Sequence, residues 1–510
     1  MTAGPLPRAS ASSLGIDEGG VLSLLDAAEA RGVRMRSLLV VRHGFAGVEL
    51  VWPPDLPDQL VHTHSLTKSV VAMVAGRMAR DGLLSEDDRV LDLLPGTYRS
   101  TPDPTGRLGR LRVGHLLSMT SGHLSEPPKQ GVDDEVTAFL ETPMEAEPGE
   151  RFFYTSAGVN ALSAILEHVG GASLRDLLSS YVLEPIGICD FELETCASGR
   201  GKGSGGLSLT TEGMCRLGQL LLQGGRWEGR QVVPEAWARR MGSVEVETPL
   251  MAAPAAWTGL RQGYGLLTWG CPDAGARVLY GLNGQFVIVL DEFDAVVVTT
   301  AAEPAAGRVL DLVAEFVVPA ISPDGQSRTS SAGSSAELAT RAASLPSTWP
   351  LSGKTEPLCR TGLWKDVNGM VLELPDNRES MLPEGFLRHI YTTRAAEAAR
   401  RGIARLELAW DGANATISYE ESGVGGTFSP ATSGMPSRHS LRTPWGSFDV
   451  LAQALWEDER TLALCLRPAG SEYWQTVLVR PFGEGPQVAF SGGPSPAGAT
   501  KVRTYPCEVA

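Results

Sequence analysis

Apolar positions along the chain show two textures, which change near residue 321. In the first, short strand-like runs enclose a long interval of helical periodicity. Residues 37–41 (SLLVV) and 47–52 (GVELVW) flank Arg42-His43-Gly44 and predict a hairpin, with His43 serving its turn. Helical patterns follow: one opening at Ser65, then 113–119, 158–169 and 211–223. The run 70–75 is apolar on nearly every side, the mark of a helix buried all round. Gly82 supplies its C-cap, after Arg77 and Arg80 have put positive charge near the C-terminal end. Strands return at 263–269, 276–279, 286–290 and 295–300, and a helix over 306–316 completes the region. Strand, helices, then strands predicts an α+β or α/β sandwich whose sheet draws on both ends of the region.

Residues 321–350 (ISPDGQSRTSSAGSSAELATRAASLPSTWP) are rich in Ser, Ala, Gly and Pro, and their first half reads as linker. The runs beyond are short: 364–374, 404–410, 415–419, 448–455, 461–466, 473–480 and 487–490. Turns at Asp411-Gly412, 456–460 and 483–485 separate them, with one helical interruption near 394–401. This spacing predicts an antiparallel sandwich or barrel. The expected organisation is a first domain over 1–320, a linker over 321–345 and an all-β domain over 346–510.

A chain of 510 residues has room for two domains with sizeable cores. Its net charge of −15 argues against a nucleic-acid or anionic-membrane partner. The N-terminal stretch lacks the apolar core of a secretory signal, and no apolar run of about 18 residues is present to span a bilayer. Seven cysteines, an odd number without CxxC spacing, read as free thiols in a reducing compartment. Cysteine and histidine are too scattered for a zinc set. The expectation is a cytoplasmic protein that needs no metal or organic cofactor.

Candidate chemistry begins at VHTHSLTKSVVAMVAG (residues 61–76). Positions i and i+3 of a helix share a face, so Ser65 and Lys68 point the same way. A lysine at the start of a buried helix is poorly solvated and near the positive dipole end, which favours the neutral amine. A neutral amine beside a hydroxyl is a base beside a nucleophile. In PGERFFYTSAGVNALSAILEHVGG, from Pro148, Tyr154 and Ser156 sit on the turn before an amphipathic helix. A loop tyrosine is a proton shuttle, the more so where cations lower its pKa, or else a packing residue. LRVGHLLSMTSGH reads as a helix stopped by Thr120-Ser121-Gly122, with His123 at the cleft mouth or in solvent. GLNGQFVIVLDEFDAVVV, from Gly281, reads as a Gly-rich entry to a strand and its return.

Together, over about residues 15–321, these segments resemble the serine β-lactamase and penicillin-binding-protein superfamily, in its class C, esterase-like branch. The resemblance implies an α+β fold: a β-lactamase-like helix–sheet sandwich as catalytic domain, followed here by an all-β C-terminal domain, sandwich or lipocalin-like barrel. It implies Ser65 as nucleophile and Lys68 as its base. Tyr154-Thr155-Ser156 stands for the Y-x-N motif and Leu282-Asn283-Gly284 for the third, K-T-G or H-x-G. Gly205-Gly206-Leu207 and HLLSMTSG match structural signatures of the branch. Ser156, Leu282, Asn283, Gly284 and His123 are the expected substrate contacts, and the backbone N–H groups of Ser65 and Gln285 the expected oxyanion donors. Two departures matter: Ser156 replaces an asparagine, and Leu282 removes the charge of the third motif.

The implied activity is hydrolysis of amides or esters through an acyl-enzyme on Ser65. One alternative is transacylation, as in penicillin-binding-protein-type thioesterases, which join such a domain to a β-barrel-like one and release or cyclise peptides. A second is a catalytically idle binding protein. The implied partner is a small-molecule or peptide acyl donor, or a carrier-bound thioester.

Overall fold

Strands from both ends of the N-terminal region assemble into one antiparallel sheet. The computed structural model describes residues 4–98, 101–103, 105–127, 134–196, 198–248, 263–272, 275–321, 332–351, 365–384, 386–387, 402–411, 414–482, 485–493 and 502–509. The chain divides into two units, residues 1–52 with 56–345 and residues 53–55 with 346–510.

The first unit opens with helix α1 (Glu18–Ala30), whose N-cap Asp17 accepts from Gly19 N. The hairpin of β1 (Met35–Arg42) and β2 (Phe45–Val51) follows, with His43 and Gly44 left-handed in its turn as expected. A short strand β3 (Val61–His62) leads to α2 (Thr67–Arg80). Next come α3 (Ser156–Gly170), β4 (Glu192–Leu193), β5 (Leu207–Leu209) and α4 (Thr211–Leu222). Strands β6 (Gly263–Gly265), β7 (Thr268–Cys271), β8 (Ala276–Gly281), β9 (Gln285–Leu290) and β10 (Ala295–Ala301) complete the sheet. Its order is β2-β1-β10-β9-β8-β7-β6. Val40 faces Val48 on one side and Val297 on the other, so the N-terminal hairpin is zipped to the last strand.

Strands β1, β9 and β10 are buried at every position, which explains their unbroken β-branched and leucine-rich runs. Helix α4 packs across β9 and β10. Helix α2 runs through the core: Val70, Val71, Ala72, Met73, Val74 and Ala75 have no exposed surface. Its carbonyl at Ala72 accepts from Trp237 Nε1 at 2.9 Å. Gly76 lies under the same indole, where a Cβ would sit 2.5 Å from the ring. Gly82 follows the helix at φ 74°, one residue past the C-cap at Asp81. A small sheet of order β3-β5-β4 sets the residues before Ser65 against the segment that ends at Leu207.

Two local expectations are revised. The single strand expected over 263–269 is split, because Leu266 and Leu267 are left-handed (φ 46° and 57°). That turn is anchored on α2 by Ser69 Oγ, which donates to Leu267 O at 2.8 Å. Within the span read as linker, helix α5 (Ala332–Ala343) packs Leu338 and Ala342 on the first unit's core, and Ser335 donates to Glu18 at 2.5 Å.

The second unit is all β. One sheet contains β11 (Met370–Glu373), β12 (Ile403–Trp410), β13 (Ala415–Glu421) and β14 (Val424–Phe428). The other contains β15 (Ser437–Thr443), β16 (Gly446–Trp456), β17 (Leu462–Pro468), β18 (Trp474–Arg480), β19 (Gln487–Gly493) and β20 (Arg503–Pro506). A last strand, β21 (Glu508–Val509), returns to the first sheet beside β11. Leu406 and Ile417 from one sheet share a core with Val450, Leu464 and Val477 from the other. Strands β14 and β15 escape the sequence pattern because both are edges, alternately exposed and rich in Gly, Ser and Arg. The helical pattern near 394–401 lies outside the described residues.

Gly76→Ala should destabilise the first unit by about 1–3 kcal/mol, because the added methyl forces the Trp237 ring or the helix to move. Urea unfolding followed by tryptophan fluorescence checks this, and an unchanged midpoint would contradict the packing.

Candidate active site

Ser65 sits on a single 3-10 turn (His64–Leu66), and α2 begins after it at Thr67. The helical path begins at Ser65 as expected, its first turn tightened to 3-10, and just before it His64 has φ 51°, a left-handed conformation disfavoured for a residue with a side chain. The bend leaves Ser65 partly exposed, while Lys68, one turn on, is 1% exposed. Lys68 Nζ donates to Ser65 Oγ at 2.9 Å, to Ser156 Oγ at 3.4 Å and to the carbonyl of Ser204. It also lies 5.1 Å above the Tyr154 ring. A carbonyl only accepts, whereas the two hydroxyls donate or accept. An uncharged amine therefore keeps N–H bonds to Ser204 and Ser156 and turns its lone pair to the Ser65 proton.

The loop bearing Tyr154 is pinned at both sides of the tyrosine by Met119: Phe153 N donates to its carbonyl at 2.8 Å, and Thr155 N to its sulfur at 3.4 Å. This is what the HLLSMTSG signature does. The Tyr154 ring stacks on Trp269 (5.8 Å, 22°) and meets Tyr264 edge-on at 6.2 Å, both from the sheet edge. Burial pushes its phenol well up, a hydrogen bond with Ser65 pulls it back, and Tyr280 and Glu126 push it further up. The net direction is upward, so the lowering that nearby cations could have produced does not prevail. The phenol keeps its proton and is a donor.

Ser156 opens α3, with Thr155 as N-cap. Glu126 adds a second cap, accepting from Ser156 N at 2.5 Å and Ala157 N at 3.4 Å. Glu126 carried no spacing signal in the sequence. Neither did Ser204, which acts through its main chain and is held by Asn160 Oδ1 on its own N–H at 3.1 Å. The glycines around it, read as a branch signature, belong to the loop that delivers this carbonyl.

The segment read as the third motif is a tight turn beside the serine. Leu282–Gly284 form the one-turn link between β8 and β9, with Asn283 and Gly284 buried and Leu282 partly exposed. Asn283 O is engaged by Glu303 N at 3.0 Å. Gln285 begins β9 opposite Gly281, and its side-chain amide donates to Leu282 O and Ala301 O. The residue of this segment that acts on Tyr154 is Tyr280, at the end of β8 and stacked on Phe286 (5.2 Å). Gly281, next along, abuts the Thr63 carbonyl, where a Cβ would stand 2.2 Å away. Strand β8 therefore reaches the serine turn at Gly281, the residue before Leu282-Asn283-Gly284. Arg277 is tied to Asp291 and to the carbonyls of Ala238 and Leu221, and Arg261 lies outside the described residues.

His123 is not at the cleft mouth. It is 1% exposed, packs on Phe139 (4.4 Å) and pairs Nδ1 with Ser121 Oγ at 3.1 Å. Among the described residues no group of His, Cys, Asp and Glu is arranged to hold a metal ion.

A half-exposed serine bonded to a buried lysine, in an α+β sandwich of this topology, places the chain among serine-hydrolase-type enzymes that act on amide or ester bonds through an acyl-enzyme. The family is particular: the model described as Beta-lactamase matches residues 26–311, over half of the chain, and the chain belongs to that family. It is 23% identical over 269 residues to the 6-aminohexanoate-dimer hydrolase of Paenarthrobacter ureafaciens, an alignment spanning 49% of this chain and 67% of that protein. A solved Bacillus anthracis protein, provisionally named as a 6-aminohexanoate-dimer hydrolase, superposes with TM-score 0.51 at 18% identity, covering 64% of this chain and 90% of that one. EstCE1, a hydrolase with promiscuous acyltransferase activity, gives 0.50 at 19% identity, covering 60% and 98%.

Burial pushes the His123 imidazole down to about 4, with carbonyls of Thr142 and Phe139 opposing. A fold that favours the neutral ring has that stability in full above about pH 6.5 and loses it as pH falls toward 4. Over this window the parent should lose up to about 3 kcal/mol more than His123→Phe. Urea unfolding at a series of pH values measures the difference; equal acid sensitivity would refute this placement of His123.

Proposed function

We propose that Ser65 is the nucleophile of a serine hydrolase for neutral amides or esters, with Lys68 as base and Tyr154 as proton donor. The observation that carries this reading is the shared hydroxyl: Ser65 Oγ is bonded by Lys68 Nζ at 2.9 Å and by the Tyr154 hydroxyl. Lys68 takes the Ser65 proton as Oγ bonds to the substrate carbonyl carbon. The oxyanion is held by the backbone N–H groups of Ser65 and Gln285; removing such a donor typically costs about 3 kcal/mol in the barrier. Tyr154 protonates the leaving group as the carbonyl–leaving-group bond breaks, and Lys68 returns the serine's proton to it. Water then releases the acyl group. Ser156 orients the Lys68 amine.

The substrate side follows from charge. Leucine stands where penicillin-recognising relatives carry a cation, Tyr280 and Leu282 make that wall uncharged, and Glu126 lies at the helix start beside it. A charge-assisted hydrogen bond to a carboxylate is worth about 1.5–3 kcal/mol, and this site lacks the usual donor. The donor is a small molecule or peptide. Transacylation is the second reading, favoured by the likeness to EstCE1, and a carrier-bound thioester is the donor it would take. We assign residues 1–320 as the catalytic domain, 321–345 as the connection and 346–510 as an all-β accessory domain. No helix among the described residues is long and apolar enough to cross a membrane. Cys189, Cys196, Cys215, Cys271 and Cys507 are free thiols, which supports a reducing, cytoplasmic setting.

Ser65→Ala should abolish turnover and fluorophosphonate labelling while leaving circular dichroism unchanged; activity above a few per cent would move the nucleophile elsewhere. Lys68→Ala and Tyr154→Phe should slow single-turnover acylation by about 10²-fold or more, the lysine change being the worse. A neutral p-nitrophenyl ester should exceed a chromogenic cephalosporin in kcat/KM, and the reverse order would mean that another residue recognises the carboxylate.

A further inference from the structure

Two imidazoles flank Thr63 in the turn that presents Ser65. His62 Nδ1 and His64 Nδ1 are 3.1 Å apart, their rings edge to face at 4.3 Å. The other nitrogen of His62, Nε2, approaches Glu194 Oε1 obliquely at 3.2 Å, and Lys202 Nζ bonds Glu194 Oε2 at 3.0 Å. Burial alone would raise the Glu194 carboxyl, but His62 and Lys202 bring it down to about 2, so it is an anion at neutral pH. In the neutral ring a lone pair facing that anion is repelled, so the geometry favours the proton on His62 Nε2 and leaves Nδ1 as acceptor. His64 then donates from its own Nδ1.

The same loop serves both partners of the serine. Lys202 begins it, Ser204 gives Lys68 its carbonyl acceptor, and Gly205 lies against the His64 carbonyl. Glu194 is tied into it by main-chain bonds, donating to Gly206 O (2.9 Å) and accepting from Lys202 N (2.8 Å). The chain of side chains ends on His64, the left-handed residue whose backbone sets the direction of Ser65. No step of the acyl transfer above uses these groups.

We propose that Lys202, Glu194 and His62 form a positioning device for the nucleophile: by fixing the His62 tautomer they hold His64 in the turn that aims Ser65 Oγ at Lys68 Nζ. The inference rests on the reading of Ser65 as nucleophile. His62 is thus a positioning residue, and a displacement of the serine by a fraction of an ångström is what its loss would produce.

The test uses the full chain, with His62→Phe, His62→Gln and the isosteric Glu194→Gln. Fluorophosphonate labelling of Ser65 and kcat on a p-nitrophenyl ester should fall about tenfold to a hundredfold in His62→Phe and Glu194→Gln, with KM little changed and Tm retained. His62→Gln, which keeps an acceptor and a donor, should recover part of the rate. Nitrogen-15 shifts of the imidazoles at about pH 8 give a readout independent of activity. Neutral rings protonated at His62 Nε2 and His64 Nδ1 support the proposal. Rates unchanged in both His62→Phe and Glu194→Gln, or a His62 ring protonated on Nδ1, overturn it. If His62→Phe is unfolded, Glu194→Gln decides. A parent chain that does not label refutes the nucleophile assignment instead, and the tautomers then decide the positioning claim.

Discussion

The site is organised by the requirement that a buried amine find a partner for each of its polar directions. Lys68 has essentially no contact with solvent, and an unpartnered amine there would be strongly destabilising. Its partners come from three separate segments: Ser65 on the turn before α2, Ser156 at the start of α3, and the Ser204 carbonyl on the loop entering β5. One nitrogen thus fixes the relative positions of two helix starts and a glycine-rich loop. The same nitrogen lies over the Tyr154 ring, so that ring is drawn into the arrangement.

Around that amine, the fold supplies supports that act on backbone geometry. Met119 holds both neighbours of Tyr154, Glu126 caps the helix that starts at Ser156, and the end of β8 presses Gly281 against Thr63. Trp269 and Tyr264 confine the Tyr154 ring from the sheet edge. These contacts explain how a serine, a lysine and a tyrosine separated by up to 89 positions stay within hydrogen-bonding reach.

Much of this was legible in the sequence, and for definite reasons. The S-x-x-K spacing, the all-round apolar run of α2 and the valine-rich strands are side-chain patterns with fixed periods. They led to Ser65, Lys68, the N-terminal hairpin and the closing strands. The partner of Lys68 at Ser204 is a main-chain carbonyl, which no residue type announces. Glu126 meets Ser156 only through the path of an intervening loop. YGLNGQ offers two glycines three residues apart, and only the close approach at Thr63 shows that Gly281 is the one abutting the serine turn. His123 was misread because Phe139, the ring that buries it, comes from a helix 16 residues further on.

The central claim is that Ser65 carries the acyl group. Rapid quenching of the protein with p-nitrophenyl acetate, followed by intact mass and peptide mapping, tests it most directly. One acetyl group on the peptide containing Ser65, formed at the rate of the p-nitrophenol burst, is the expected result. Stoichiometric acetylation of a different residue, or turnover with Ser65 unmodified at every quench time, would contradict the account.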